Sequence, residues 1–301
     1  MSLHPIAKEI PILKQAAQVR FLSKGFSSDL KFVADDAYLV RVFPAEDIKR
    51  RRDEFDTIRA LNHFSEYVPK AIHFERVEGT DKSYMVLTYL PGKDGEEAMI
   101  DLTEKEQYTA GVEAGRTLNN LHHLKAPDDY PAWSEVKRKK NDRYLQGLED
   151  LPVESKLKKL LRDYIKANEI LLHGRPNTFQ HDDFHPTNLL IHNRQFAGII
   201  DFGRMDWGDP VHDLHKLGFF SSRISVPFTK GIVDGYHERT GAGDSFWELY
   251  ALYSAMHIVS SLVWGMRFGL EMFKKMEAFS YDVLADHDDF KRIRPIWYGE
   301  V

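Results

Sequence analysis

His181-Asp182-Asp183-Phe184-His185-Pro186-Thr187-Asn188, followed by Asp201-Phe202-Gly203 and then Gly208-Asp209-Pro210, is the stretch on which the reading of this chain turns. Polar and apolar blocks alternate sharply across it. Residues 189–192 and 196–200 read as two short strands about a turn at Asn193, Arg194 and Gln195. A hairpin symmetric about Arg194 and Gln195 sets Asn188 opposite Asp201, with Cα atoms on the order of 5 Å apart. A neutral amide oxygen and a carboxylate converging on one point make a hard-oxygen pair suited to Mg²⁺, which completes its shell with water and phosphate oxygens. Asp183 enters the same hairpin, within reach of a hydroxyl beside such an ion.

Composition narrows the classes to which this stretch can belong. The 301 residues contain no cysteine, which removes disulfide frameworks, Cys-ligated zinc and thiol nucleophiles. Basic and acidic residues number 41 and 46, for a formal charge of -5, so net charge gives no reason to expect a nucleic-acid partner. The most apolar run, residues 255–266, is shorter than the roughly 20 residues that cross a bilayer. Glu9 and Pro11 stand where a signal peptide needs its apolar segment. The expectation is a cytoplasmic protein without membrane association, of a length at which one core splits into two lobes.

The hydrophobic period divides the chain accordingly. Residues 31–33 and 38–43 flank Asp35-Asp36, and residues 71–77 and 83–90 flank Glu78-Gly79-Thr80-Asp81, which gives two hairpins. Between them, residues 45–64 carry Phe55, Ile58, Leu61 and His63 at near-helical spacing. Pro91-Gly92 ends the last of these strands. Beyond it the pattern is helical: Thr103-x-x-Glu106 reads as a capping box, Leu157, Leu161, Ile165 and Leu172 form a stripe, and residues 246–266 are apolar on nearly every face. The fold class expected is α+β and bilobal, with a β-rich N-lobe at 1–88, a hinge at 89–92 and a helical C-lobe at 93–301. The basic runs 49–52 and 137–140 read as solvated helix faces.

His181-x-Asp183-x-x-x-x-Asn188 followed by Asp201-Phe202-Gly203 has the form of the kinase catalytic loop and metal-binding segment. With His185 two residues after Asp183, and with Gly208-Asp209-Pro210-x-x-Asp213 downstream, it resembles more specifically the aminoglycoside phosphotransferase and choline kinase-like family. Tyr84-Met-Val-Leu-Thr-Tyr-Leu-Pro-Gly92 is similar to that family's hinge strand, and Gly25-Phe-Ser-Ser-Asp29 to its abbreviated phosphate loop. The resemblance covers roughly residues 20–215. It implies a protein kinase-like fold that binds ATP, or GTP, with Mg²⁺ between the lobes. It further implies that Asp183 is the base and His185 contacts the transferred phosphate, while Asn188 and Asp201 hold the metal. Ser27 and Ser28 would lie on the phosphates, and the backbone of Thr88, Tyr89 and Leu90 on the adenine. The acceptor would be a hydroxyl of a small molecule: an aminoglycoside first, then choline or ethanolamine, a sugar amine, thiamine or homoserine. Asp206, Asp282, Asp286, Asp288 and Asp289 would favour a cationic acceptor if they line the cleft.

Two positions depart from the family pattern. Asp182 replaces the usual glycine beside the base, so it must face solvent or find a partner for Asp183 to stay ionised. Arg41 stands on the strand where kinases commonly place lysine; its planar fork can bind phosphate and pair with a carboxylate, Glu54 before Asp53. Two rival readings remain. His181 and His185 have the i, i+4 spacing of a helical zinc site, against which Pro186 and the following strand count. A nucleotide-binding pseudokinase acting through a partner would keep the same residues without turnover.

Overall fold

The structure, a computed structural model, describes residues 4–23, 29–238 and 241–299. After a short helix α1 (Pro11–Gln15), strands β1 (Val19–Leu22), β2 (Leu30–Ala34) and β3 (Tyr38–Pro44) run antiparallel, and helix α2 (Ile48–Leu61) leads to β4 (Ala71–Arg76) and β5 (Lys82–Thr88). These strands form one sheet in the order β1-β2-β3-β5-β4. Asp35 and Asp36 both adopt positive φ (52° and 49°), the two-residue turn whose twist suits a hairpin and which aspartate tolerates. Strand β1 lies outside the expected hairpins. Along β3 the period of two sends Val40 and Val42 to one face and Arg41 and Phe43 to the other. Val40 and Val42 join Phe32, Tyr84 and Val86 beneath Ile6, Ile10 and Leu13 of the N-terminal segment. Phe43, Met85 and Leu87 pack with Phe55, Ile58 and Leu61 of α2, in a core continuous with the second lobe.

That lobe comprises β6 (Lys93–Asp94), α3 (Gly95–Ala98), α4 (Glu104–Leu121), α5 (Trp133–Glu149), α6 (Ser155–Asn168), β7 (Thr178–Gln180), β8 (Leu189–His192), β9 (Gln195–Ile199) and β10 (Asp206–Gly208). A 3₁₀ helix (Pro210–Lys216) and a π turn (Leu217–Ser221) then lead to α7 (Val226–Tyr236), α8 (Asp244–Arg267) and α9 (Leu270–Asp286). The capping box forms: Thr103 Oγ1 accepts from the Glu106 amide at 3.4 Å, and the Glu106 carboxylate accepts from the Thr103 amide at 2.8 Å. Helix α8 has the length and apolarity of a membrane-crossing segment, but 78% of its most apolar window is buried inside the fold, as a core helix would be.

Helices α4 and α7 touch backbone to backbone. Gly111 and Gly115 on one, and Gly231 and Gly235 on the other, interlock at four-residue spacing. A Cβ at Gly115 would stand 2.0 Å from the Ile232 carbonyl oxygen, and one at Gly235 2.0 Å from that of Val112. No side-chain rotation relieves such a clash. Gly115→Ala should therefore force the helices apart and destabilise the fold by roughly 1–3 kcal/mol. Gly243→Ala, with nothing within 4 Å of the added carbon, serves as the clash-free control in thermal melts, carrying only the modest cost of alanine at the N-cap of α8.

The C-lobe also buries histidines. Burial first, then neighbouring cations such as Lys137 and Lys216, pushes His212, His215 and His257 well below the ordinary histidine range. Burial also pushes His237 down, and brings His287 to about 4. Below pH ~6.5 the unfolded chain binds protons that these folded histidines refuse, so stability falls as pH falls. Asp182 and Asp286 act oppositely, since burial raises both, Asp286 to about 6. Five histidines against two carboxylates set the sign. The melting temperature should drop by several degrees between pH 7 and pH 5, and His287→Gln should flatten that slope. A flat profile would contradict the burial.

Candidate active site

The loop 181–188 has no regular secondary structure until a short 3₁₀ turn at Pro186–Asn188, so its shape comes from side chains elsewhere. Asp182 adopts a positive φ of 55°. Fully buried Asp213 accepts from the amides of both His181 (2.6 Å) and Asp182 (2.7 Å), and His122 Nε2 meets the same carboxylate at 3.0 Å. Asp209 caps the 3₁₀ helix through the Val211 amide. Arg175 donates to it twice, at 2.6 and 2.9 Å, and the Tyr253 hydroxyl once. Its carbonyl accepts from Gln180 Nε2 at the start of the loop. His181 Nε2 donates to the Ile200 carbonyl (2.9 Å), while its Nδ1 accepts from the Asp183 amide (3.3 Å). Both ring nitrogens are thus engaged within a non-helical loop, and the zinc reading fails on that geometry.

Around Asp183 the groups are donors. Its Oδ1 accepts from Lys216 Nζ at 2.6 Å, its Oδ2 is 3.3 Å from Asn188 Nδ2, and Arg204 Nε lies 3.8 Å away. His185 Nε2 stands 3.4 Å from Oδ1; Thr187 Oγ1 meets the other ring nitrogen, and the ring packs on Phe220. Burial opposes the Asp183 charge, but the His185 hydrogen bond and Lys216 outweigh it and hold the carboxyl well below the usual range. Burial raises the Asp182 pKa against the attraction of Lys216, Lys140 and Lys137, and His212 Nδ1 lies 3.6 Å from its carboxylate.

The hairpin register differs from the symmetric one. Asn193 (φ 49°) and Arg194 (φ 65°) form the turn, and a bulge between Leu190 and Ile191 shifts the ladder by a residue. Asn188 therefore pairs with Ile200, whose amide it accepts at 2.9 Å, and Asp201 leaves the ladder with a φ of 64°. That left-handed residue breaks the alternation of side chains. Asp201 Oδ1, Arg51 Nη1 and Arg41 Nη2 then converge on Gly203, at 3.5, 3.2 and 3.8 Å from a Cβ placed there. The Asn188 amide nitrogen donates to the Asp183 carbonyl at 2.9 Å, so the oxygen of the same amide is the group left to meet a cation. One amide oxygen and one exposed carboxylate are a donor set that fits a hard divalent ion.

On the N-lobe side, Arg41 is buried between two carboxylates. Its Nε and Nη2 donate to Asp29 at 3.1 and 2.7 Å, and its Nη1 donates to Glu54. Arg51 donates to the other oxygens of the same pair, at 2.6 Å to Asp29 and 2.8 Å to Glu54. Burial works against the Arg41 charge, and Glu54, Asp29 and Asp201 outweigh it. Arg51, only 4% exposed, corrects the solvated reading of residues 49–52: a helix long enough to cross the sheet turns one residue of the run inward. Ser27 and Ser28 lie outside the described residues. At the hinge, the Thr88 amide donates to the Lys70 carbonyl and the Tyr89 amide to that of Ala37. Of the backbone expected on the adenine, the amides of Thr88 and Tyr89 are thus engaged within the lobe, which leaves their carbonyls and the Leu90 amide, on which no bond falls among the described residues.

Lys137 is buried as well, correcting the other basic run. It donates to His212 Nε2, and burial with nearby Lys140 lowers its pKa to about 7. Of the five acidic residues expected in the cleft, two have other partners: Asp206 accepts from the Tyr130 hydroxyl at 2.6 Å, and Asp282 pairs with Arg223. Asp282 and Asp286 line a cavity of about 450 Å³ with Gly218, Ser222, Arg223 and Trp297. Lys216 and Phe220 face the loop, whereas Gly218 and Ser222 line that cavity.

The model of the phosphotransferase enzyme family matches residues 18–250. Among solved structures, the ADP-bound aminoglycoside phosphotransferase APH(2'')-Ib superimposes with a TM-score of 0.64 at 18% identity, over 89% of this chain and 93% of that one. The gentamicin complex of APH(2")-IIa gives 0.64 at 19%, over 93% and 97%. A GDP complex of an aminoglycoside 2'-phosphotransferase-IIIa variant gives 0.65 at 16%, over 92% and 94%. The superpositions establish the bilobal, protein kinase-like fold, and the family match spans the sheet, the hinge and the loop carrying Asp183: the chain belongs to the phosphotransferase enzyme family.

Proposed function

We propose that the protein transfers the γ-phosphoryl group of ATP, or of GTP, to a hydroxyl of a small molecule. The observation that carries this reading is the Asp183 carboxylate, ionised and braced by Asn188 at the end of the same hairpin from which Asp201 emerges. Asp183 would orient the acceptor hydroxyl and take its proton as the new P–O bond forms and the bond to the β-phosphate oxygen breaks. Asn188 and Asp201 would hold magnesium, which supplies charge neutralisation on the phosphate oxygens when bound. Arg41 and Arg51, locked by Asp29 and Glu54, would present fixed guanidinium N–H donors to the nucleotide without reorganising. His185 would stand beside the transferred group. The nucleotides and aminoglycosides in the related structures support a nucleoside triphosphate donor and an aminoglycoside acceptor. A second reading, a metabolite without positive charge near its hydroxyl, is favoured by Lys216 and Arg204 at the Asp183 carboxylate and by the engagement of Asp206 and Asp282 elsewhere.

Transfer from MgATP and MgGTP to a panel of aminoglycosides, amino-alcohols, sugars and hydroxy acids tests both readings. We expect turnover with one class, and a loss of about 10²-fold or more in Asp183→Asn as a positioned base disappears. Nucleotide binding with no transfer would favour a pseudokinase, and no nucleotide binding would remove the reading. In this quartet, Arg51→Met removes one of the two guanidiniums that Asp29 and Glu54 share. It should cost about 3–5 kcal/mol in denaturant unfolding, as breaking a buried ion pair does.

A further inference from the structure

Lys216 was no part of the sequence pattern, yet its ammonium makes the shortest contacts that Asp183 has. It closes the 3₁₀ helix Pro210–Lys216, its side chain is 8% exposed, and it donates to Asp183 Oδ1 and to the Asp182 carbonyl, each at 2.6 Å. Residues three apart eclipse in a 3₁₀ helix, so Asp213 and Lys216 project along one edge. Asp213 takes the amides of His181 and Asp182; Lys216 takes the next carbonyl and the next side chain. One helix edge thus grips consecutive groups of the loop, including Asp182 in its left-handed conformation, which L-residues hold only under constraint.

The grip is asymmetric at the carboxylate. Oδ1 is committed to Lys216. Among the described residues, Oδ2 has only the longer contacts, 3.3 Å to Asn188 Nδ2 and 3.8 Å to Arg204 Nε. We propose that Lys216 is a positioning residue for phosphoryl transfer: it fixes the Asp183 rotamer so that Oδ2 is the oxygen presented to the acceptor hydroxyl. The inference rests on the phosphotransferase reading above. Without the ammonium, the carboxylate can rotate and turn either oxygen toward His185, Arg204 or water, and the fraction of productive geometries falls.

The test is steady-state kinetics on wild type, Lys216→Met, Lys216→Arg, Asp183→Asn and the Asp183→Asn/Lys216→Met double variant, with melts on each. Both the acceptor identified by the panel and water, as MgATP hydrolysis, serve as assays. A residue acting only through Asp183 should be silent once Asp183 is disabled. We expect Lys216→Met to lower kcat by about 30- to 100-fold with the KM for ATP within about threefold, and the double variant to fall within about threefold of Asp183→Asn. Lys216→Arg, which keeps a charged donor, should recover to within about tenfold of wild type. The same loss in the Asp183→Asn background, a kcat unchanged by Lys216→Met, or losses that track melting temperature and are not rescued by arginine would overturn the proposal while leaving the phosphotransferase reading intact. Wild type that neither hydrolyses ATP nor transfers to any acceptor would overturn both.

Discussion

The arrangement of the C-lobe depends on one buried carboxylate. Asp213, with no exposed surface, receives two successive backbone amides of the loop and the imidazole of His122. An irregular loop in the interior must find partners for its polar groups, and each one left unmade costs more than a formed bond gains. Asp213 satisfies two at once and thereby sets the direction in which the chain leaves Gln180. Asp209 performs the corresponding task one helical turn earlier. Its carboxylate is bound by Arg175 and Tyr253, and its carbonyl by Gln180. The segment beginning Gly208-Asp209-Pro210 is thus a scaffold to which the loop is pinned.

The N-lobe solves a different problem, the burial of two arginines. A single guanidinium in that position would carry a large desolvation cost. Pairing Arg41 and Arg51 with Asp29 and Glu54 gives a neutral quartet in which each arginine bridges both acids. Such a quartet is a rigid array of dipoles facing Gly203 and Asp201, and rigidity is what an electrostatic site requires. It also ties the start of β2, the middle of β3 and helix α2 together, so the sheet and its helix cannot shift independently.

Legibility in the sequence varied with the range of the interaction responsible. Turns at Asp35-Asp36, the capping box at Thr103 and Glu106, and proline after the Asp209 cap are local devices, and the sequence shows them directly. The pairing of Arg41 with Glu54 was legible only through the resemblance to kinases, in which a strand cation pairs with a helix carboxylate. The hairpin register was not, because a bulge adds a residue to one strand with no compositional mark. The burial of Arg51 and Lys137 was equally hidden, since a basic run looks the same whether all its members are solvated or one is turned inward. The paired glycines of α4 and α7 were present in the sequence, but their meaning lies in each helix having the other as its partner.

The linear chain already carries the order of the chemical groups: a carboxylate, an amide and a second carboxylate at spacings that a single hairpin can gather, between a β-rich and a helical half. Side-chain period and turn chemistry act over a few residues, so a linear pattern carries them. How those groups are held and aimed follows from packing between distant elements. Lys216 reaches Asp183, and Asp29 joins two arginines, because elements distant in the chain pack together. The physical reason is that burial fixes partners, charge states and rotamers, and burial is a property of the packed molecule rather than of any segment of it.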